Sequence, residues 1–393
     1  MIRYLYIEAY VHVALKANGL LFYNFLNKES LLLQNDDKLY PYFIQKSEEL
    51  SNYLVDITDD ISILKDFIET LREKYMGDVI LKEKKEDKPV IFVPIVKDLA
   101  VKDINKNLGD QLMELTLYLT NECSYSCKIC KEAWKQFPFC TKLISLDSLD
   151  AESLLSGLQN IIETTNICRI NLIGGNVADN SLVDKVLELV INENIQIYLY
   201  VHYKHLVDIH EMMKGENINW VVVFDMPPVV TPELNTIKDF TAELLLVLQA
   251  EEEIENYEAF LKTTELPYSF VPYFSGENLS FFENFVFRDE ENILSSSFTE
   301  TDFLQHTLIN TNTFGKLFIL PDGSIKVDLN ESPVGTINSD IKEIIFNELN
   351  SGHTWKQTRN KLPYCNECVY ELLCPSPGNH EKIIRPNMCH VKV

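Results

Sequence analysis

Three cysteines spaced Cys-x3-Cys-x2-Cys are the residues best suited to do chemistry in this chain: Cys123, Cys127 and Cys130. They directly follow an apolar, strand-like stretch at 114–119. Three thiolates on one short loop can hold three irons of a [4Fe–4S] cluster and leave the fourth iron open, which is the iron that S-adenosylmethionine (SAM) chelates in radical chemistry. Zinc is the alternative, since it takes four closed ligands and Cys140 can supply the fourth. Cys140 can equally close an iron–sulfur cluster and exclude SAM.

A second group of cysteines lies near the C-terminus as Cys365-x2-Cys368-x5-Cys374, followed by Cys389. Four cysteines suffice for one further [4Fe–4S] cluster or for one structural zinc ion. With either group bound, they would tie the C-terminal segment together. The remaining cysteine, Cys168, stands in an apolar stretch and is interpreted as core packing.

The composition excludes several classes of protein. A length of 393 residues allows two or three domains, and the formal charge of −24 argues against nucleic-acid binding, because phosphate contacts need clustered lysine and arginine. The first eight residues lack the pattern of a signal peptide, and no uncharged apolar run approaches the about 18 residues of a membrane span. We therefore expect a cytoplasmic protein without nucleic-acid or membrane partners, in which nine cysteines indicate metal or redox chemistry rather than disulfides.

Alternating strands and helices position the first cysteine motif. Helices such as 181–192 and 254–266 separate strands that we predict at 114–119, 169–173, 196–201, 220–224, 244–248 and 269–273. Repeated strand–helix units imply parallel strands with right-handed crossovers, and six units fit a partial (β/α)6 barrel. The motif then lies at the carboxyl end of the first barrel strand, where such folds carry their active sites.

The two ends of the chain do not follow this alternation of strands and helices. We predict strands at 4–15, 20–26 and 30–33, with a hairpin turn at Asn18-Gly19, followed by helices in a winged-helix-like order. A charge run at 82–88 predicts an exposed linker. Near the C-terminus, Pro321-Asp322-Gly323 predicts a hairpin ahead of the second cysteine group. The predicted domains are 1–98, 99–310 and 311–393.

The first motif, placed after a first strand, is similar to the signature of the radical SAM superfamily. Members commonly carry Gly-Gly-Glu after the second strand, where it meets the amino group of SAM, and this chain has Gly174, Gly175 and Asn176 there. The resemblance implies that these three residues line the methionine part of SAM. Because Asn176 has no charge to match the ammonium group, SAM binding should be weaker or absent. His202 and Asp225, after later strands, are candidates for the ribose or adenine side.

The C-terminal cysteines resemble the second half of the SPASM or twitch extension of radical SAM peptide-modifying enzymes, in which cysteines hold auxiliary [4Fe–4S] clusters. The segments 21–26, 172–176 and 373–381 resemble the corresponding segments of radical SAM-like SPASM proteins, some called pseudo-radical-SAM proteins, of Bacteroidetes peptide natural-product systems. The resemblance implies an α/β fold with three parts. They are an N-terminal domain similar to the recognition element of ribosomally made, modified peptides (RiPPs), a partial radical SAM-type barrel, and a SPASM/twitch-like cysteine domain.

Two functions follow from the resemblance. The first is an iron–sulfur radical SAM-type maturase of a ribosomally made precursor peptide, whose leader would bind as an extra strand at the edge formed by 30–33. The alternative is a catalytically degenerate binding partner, which presents the precursor to a true radical SAM maturase or forms a heteromer with it. No catalytic residue is assigned in either case.

Overall fold

The computed structural model describes residues 2–83, 107–120, 123, 125, 127–131, 134–139, 148–177, 180–190, 193–206, 218–228, 237, 242–262, 264–296, 298–351, 354–385 and 387–392. Most of the predicted linker, from residue 84 onward, lies outside these residues, as does Cys140.

Residues 2–83 form two three-stranded sheets and three helices around a core that includes Phe22, Phe43 and Phe67. The sheets have the orders β5-β1-β6 and β2-β3-β4. The elements are β1 (Arg3–Ile7), β2 (Val11–Lys16), β3 (Gly19–Asn24), β4 (Ser30–Gln34), α1 (Tyr40–Gln45), α2 (Ser47–Ser51), β5 (Leu54–Asp56), α3 (Lys65–Glu73) and β6 (Gly77–Leu81).

The single predicted strand at 4–15 is wrong. The chain turns where the backbone N–H of Val11 donates to the carbonyl of Glu8 at 3.0 Å, so the two halves enter different sheets. The hairpin between β2 and β3 is as predicted. Because successive side chains alternate across a strand, Leu20 and Phe22 of β3 face the domain's own core, whereas Leu21 and Tyr23 pack against the C-terminal segment.

The centre of the molecule is a parallel sheet in the order β12-β11-β10-β9-β8-β7. Each strand lies within two residues of its predicted position, which confirms the predicted mixed α/β fold with parallel strands. The elements are β7 (Glu114–Tyr118), α4 (Ala151–Thr164), β8 (Arg169–Ile173), α5 (Leu182–Val190), β9 (Gln196–His202), β10 (Ile218–Phe224), β11 (Ala242–Leu248), α6 (Glu252–Leu261) and β12 (Tyr268–Pro272).

The two faces of this sheet have different neighbours. Leu115 and Leu117 belong to the large core that includes residues of α4 and α5. Tyr118 faces the other side of the sheet and joins Ile173 and Val223, from other strands of the sheet, in a second buried cluster. Cys168 immediately precedes β8 and is exposed, so its interpretation as a core residue is wrong; its thiol donates to the Met113 carbonyl instead, at 3.3 Å.

The sheet continues past the predicted boundary at residue 311. β13 (Lys316–Ile319) pairs in parallel with β7, and the predicted hairpin adds β14 (Ser324–Lys326) and β15 (Gly335–Thr336), which makes nine strands. The winged-helix-like and SPASM-like descriptions stay predictions. The remaining helices are α7 (Leu279–Phe285), α8 (Glu290–Ser295), α9 (Glu300–Leu308), α10 (Ile341–Ser351) and α11 (Asn379–Ile383).

Within the described ranges, none of the helices combines the length and the apolar character that crossing a bilayer requires.

Candidate functional site

The first cysteine motif lies just beyond the carboxyl end of β7. Cys127 is buried, and Cys123 and Cys130 are partly buried. A short 3-10 helix, Lys128–Lys131, carries the third cysteine, whose backbone N–H donates to the carbonyl of Cys127 at 3.2 Å. This turn keeps the second and third cysteines on one compact loop, as a shared metal group requires.

Two histidines at the carboxyl end of β9, His202 within the strand and His205 just after it, contact the motif. Nε2 of His202 lies 3.4 Å from Sγ of Cys127, and Nε2 of His205 lies 3.8 Å from Sγ of Cys123. The ring of Tyr125 packs on His205 with centroids 4.6 Å apart. The sequence suggested His202 only for the ribose or adenine side of SAM, whereas the structure brings it directly to a cysteine of the motif.

Asp225, the first residue after β10, completes a buried group with Cys127 and His202. Its Oδ1 lies 3.1 Å from Nε2 of His202, and one ligand atom from each of the three residues lies within 4.8 Å of the other two. In the described part of the chain Oδ1 accepts no hydrogen bond of good geometry, so the attraction between Asp225 and His202 is mainly electrostatic. A thiol, an imidazole and a buried carboxylate form a donor set that suits a transition metal.

The protonation of His202 follows from its neighbours. The backbone N–H of Lys204 donates to Nδ1 at 3.3 Å, so in the neutral ring the proton is on Nε2, which faces Cys127. Burial alone lowers the pKa of His202, but Asp225 and Cys127 outweigh burial and raise it above its usual value. Burial raises the pKa of Asp225, and His202 more than offsets that effect, so the pKa of this carboxyl is lowered. His202 is therefore a hydrogen-bond donor toward Cys127.

The Gly174-Gly175 turn packs against the start of the motif loop. Both glycines have positive φ, +112° and +60°. A Cβ at Gly174 would lie 2.5 Å from the carbonyl oxygen of Thr120, so the close approach of the two loops requires glycine. Asn176 follows the turn and is partly buried. The three residues predicted to line SAM thus stand beside the loop that carries the cysteines.

Two aromatic side chains from the segment 134–139 pack near the motif, in the buried cluster on the same face of the sheet as Tyr118. Phe137 and Phe139 are buried in the same cluster as Cys127. The ring of Phe139 stacks on Tyr200 at 6.3 Å, and the ring of Phe137 lies 6.2 Å from Tyr273. The apolar space beside Cys127 on this face of the sheet is therefore occupied by the protein's own side chains.

Paired hydrogen bonds hold this segment at both sides. The Gln136 side chain donates to the carbonyl of Phe274 at 2.7 Å and accepts from its N–H at 2.8 Å. Asn330 makes the equivalent pair with the backbone of Lys135, at 2.7 and 2.9 Å. The segment is thereby joined to the residues after the last barrel strand and to the C-terminal part of the chain.

The second cysteine group converges on one cavity of about 30 Å³, lined by Cys365, Cys368, Cys374 and Cys389. Burial raises the pKa of Cys368 to about 12 and that of Cys374 to about 11. Burial therefore favours the protonated form of these two thiols in the absence of a metal, and metal binding releases their protons. Four soft donors around one cavity fit either a [4Fe–4S] cluster or zinc.

A buried arginine supports this second group. Arg359 donates from Nη1 to Sγ of Cys365 at 3.7 Å and from Nε to the carbonyl of Pro375 at 2.7 Å. Its guanidinium also pairs with Glu381, in the first turn of α11, with Nη2 3.2 Å from Oε2. A cation beside the thiols stabilises their deprotonated, metal-binding form. The cysteine spacing gave no sign of this arginine.

No protein-family model and no curated protein matches the chain. Its fold is similar to two crystal structures of SuiB from Streptococcus suis, each 14% identical and each covered over 99% of both chains. In one structure SuiB is bound to S-adenosylmethionine, with a TM-score of 0.52. In the other it is bound to the precursor peptide SuiA, with a TM-score of 0.51. At this identity the likeness shows a shared fold from end to end.

Proposed function

We propose that this protein is an iron–sulfur radical SAM-type maturase that acts on a ribosomally made precursor peptide. One combination carries the proposal: the three-cysteine loop lies beside the Gly174-Gly175 turn in a fold shared end to end with a protein solved with SAM and with a precursor peptide. The three cysteines would hold a [4Fe–4S] cluster, and Gly174, Gly175 and Asn176 would line the methionine part of SAM. When bound, cluster and SAM together supply a radical that abstracts hydrogen from the peptide.

The C-terminal cysteines would hold an auxiliary [4Fe–4S] cluster or a structural zinc ion. Their common cavity, their proximity to Arg359 and their soft donor atoms support this role.

The N-terminal domain would bind the leader of the precursor. β4 (Ser30–Gln34) is the last strand in the order β2-β3-β4, and no other strand of the described residues pairs with its outer side, which could therefore take an added strand. Adding precursor peptides encoded beside the gene should slow hydrogen exchange in 30–34 of the full-length protein, and β6, the edge of the other sheet, provides the control. Equal protection of both edges, or of neither, would contradict leader binding at β4.

Catalysis is tested by anaerobic reconstitution with iron and sulfide, followed by addition of SAM and dithionite. We expect 5′-deoxyadenosine from the wild-type protein and none above a no-enzyme control from Cys127→Ala. A wild-type protein with about four irons bound at the first site that yields no 5′-deoxyadenosine would refute the enzyme.

The second candidate is a binding protein that presents the precursor to a radical SAM partner or forms a heteromer with it. Phe137 and Phe139 in the barrel interior favour it, as does the approach of His202 and Asp225 to Cys127. Phe139→Ala separates the two functions, because it removes an aromatic ring from the interior and leaves the N-terminal domain unchanged. A maturase should bind SAM more readily after this change, whereas a binding protein should keep the same precursor affinity and bind no SAM in either form.

A further inference from the structure

The tip of the β2–β3 hairpin reaches the second cysteine group, although about 350 residues separate them in sequence. Nδ2 of Asn18 donates to Sγ of Cys368 at 3.8 Å and to the carbonyl of Lys392 at 3.4 Å. The backbone N–H of Val369 donates to Oδ1 of the same side chain at 2.9 Å. Both ends of one carboxamide are therefore used at the cysteine loop.

Independent contacts fix the position of this tip. Nζ of Lys16 lies 2.8 Å from a carboxylate oxygen of Glu371 and donates to the carbonyl of Asn366 at 2.9 Å. Gly19 has φ +152°, and a Cβ there would lie 2.5 Å from the carbonyl oxygen of Leu33, so the turn that presents Asn18 requires glycine.

The apolar face behind the tip makes the contact a packed interface. Leu21 and Tyr23 of β3 are buried in one cluster with Cys368, Val369 and Tyr370. The C-terminal cysteine loop and the N-terminal domain that covers it therefore share one core.

We propose that the N-terminal domain completes the second cysteine site, with Asn18 as a positioning residue for the metal-bound thiolate of Cys368. An N–H directed at a thiolate stabilises its negative charge, and contacts of this kind orient the ligands of a metal site. By thermodynamic linkage, docking of the N-terminal domain strengthens metal binding by the same free energy by which metal binding strengthens docking of the domain. This inference goes beyond the proposed function and depends on neither SAM nor a peptide.

Zinc binding to the full-length chain tests the inference. Replacing the three cysteines of the first motif by alanine leaves the second group as the cysteine cluster that binds Zn²⁺. In this background we expect Asn18→Ala to weaken Zn²⁺ affinity about 10- to 100-fold, measured by competition with a chelating indicator. Asn18→Asp keeps the acceptor for Val369 and loses the donor to Cys368, so it should weaken affinity at least as much. Asn27→Ala is the matched control, because Asn27 donates to the Lys74 carbonyl within the N-terminal domain. The Zn²⁺ affinity of this variant should equal that of the parent.

Hydrogen exchange provides a second readout of the same linkage. Zn²⁺ should slow exchange at 365–374 and also at 11–24 in the parent protein, but only at 365–374 in Asn18→Ala. Affinities that agree within twofold between Asn18→Ala and the parent would overturn the inference. Zinc that protects 365–374 and leaves 11–24 unchanged in the parent, or a parent that binds no Zn²⁺, would overturn it as well.

Discussion

Replacing Arg359 by methionine tests how the second cysteine group is held together. The guanidinium and the Glu381 carboxylate that pairs with it are about nine-tenths buried, with side-chain exposures of 10% and 9%. Removing the cation leaves the carboxylate buried without its counter-charge, and also removes the donor to the carbonyl of Pro375. Breaking a buried pair in this way costs about 3–5 kcal/mol of folding free energy.

The surface pair of Arg72 and Asp78 is a matched control. Its atoms approach to 2.6 Å, but its side chains are 50% and 54% exposed, so water already screens the two charges. Arg72→Met should cost about 0–1 kcal/mol. The two single variants thus compare ion pairs of similar chemistry whose main difference is burial.

The assay is urea unfolding of the metal-free protein, followed by tryptophan fluorescence. In the double variant Arg359→Met/Glu381→Met, two apolar side chains replace the pair, and most of the lost stability should return, apart from the cost of the hydrogen bond to the Pro375 carbonyl. The reasoning is refuted if Arg359→Met costs no more than Arg72→Met, or if the double variant is as unstable as the sum of its single variants.

Three further predictions concern single side chains. Burial, assisted by the charge of Lys16, lowers the pKa of His12 to about 4, so below pH 6.5 the unfolded chain takes up a proton that the folded chain does not. The melting temperature should therefore fall as the pH is lowered from about 6.5 to 4, and it should fall less steeply in His12→Phe. Gly174→Ala places a side chain at a positive φ and should lower the free energy of unfolding by about 1–3 kcal/mol. In a maturase the same change should abolish SAM binding, as measured by isothermal titration calorimetry. His202→Leu removes the donor to Cys127 and should lower the reduction potential of the first cluster in an electron paramagnetic resonance titration, whereas His202→Gln should keep it closer to wild type.

The barrel strands could be predicted closely because their residues are apolar and are followed by helical stretches. Buried parallel strands read as continuous apolar runs, and Trp220 to Phe224 is such a run. The N-terminal region gave weaker signals. The turn after Glu8 contains neither glycine nor proline, so nothing in the sequence divides 4–15 into two strands. Gly77 begins β6, where its close approach to the carbonyl of Tyr6 leaves no room for a side chain.

The cysteines were found by residue type and spacing, whereas their neighbours depend on the fold. His202 is 75 residues from Cys127, and the contact arises because parallel strands bring their carboxyl ends to one edge of the sheet. Knowing the strands, one can expect His202 and Asp225 to converge there, although not on which cysteine. Phe137 and Phe139 carried no such signal, because an aromatic residue in a loop does not indicate which cavity it will fill.

The filled interior sets an energetic condition on any reaction at the first cysteine group. Exposing Phe137 and Phe139 to water would cost about 1.5–3 kcal/mol for each ring, or about 3–6 kcal/mol together. Since about 1.4 kcal/mol corresponds to a factor of ten, a substrate that must displace both rings loses roughly 10²- to 10⁴-fold in apparent affinity. A peptide held by the N-terminal domain can supply that free energy through contacts away from the interior. Precursor should therefore raise the SAM affinity of a maturase, and a binding protein never has to open the interior at all.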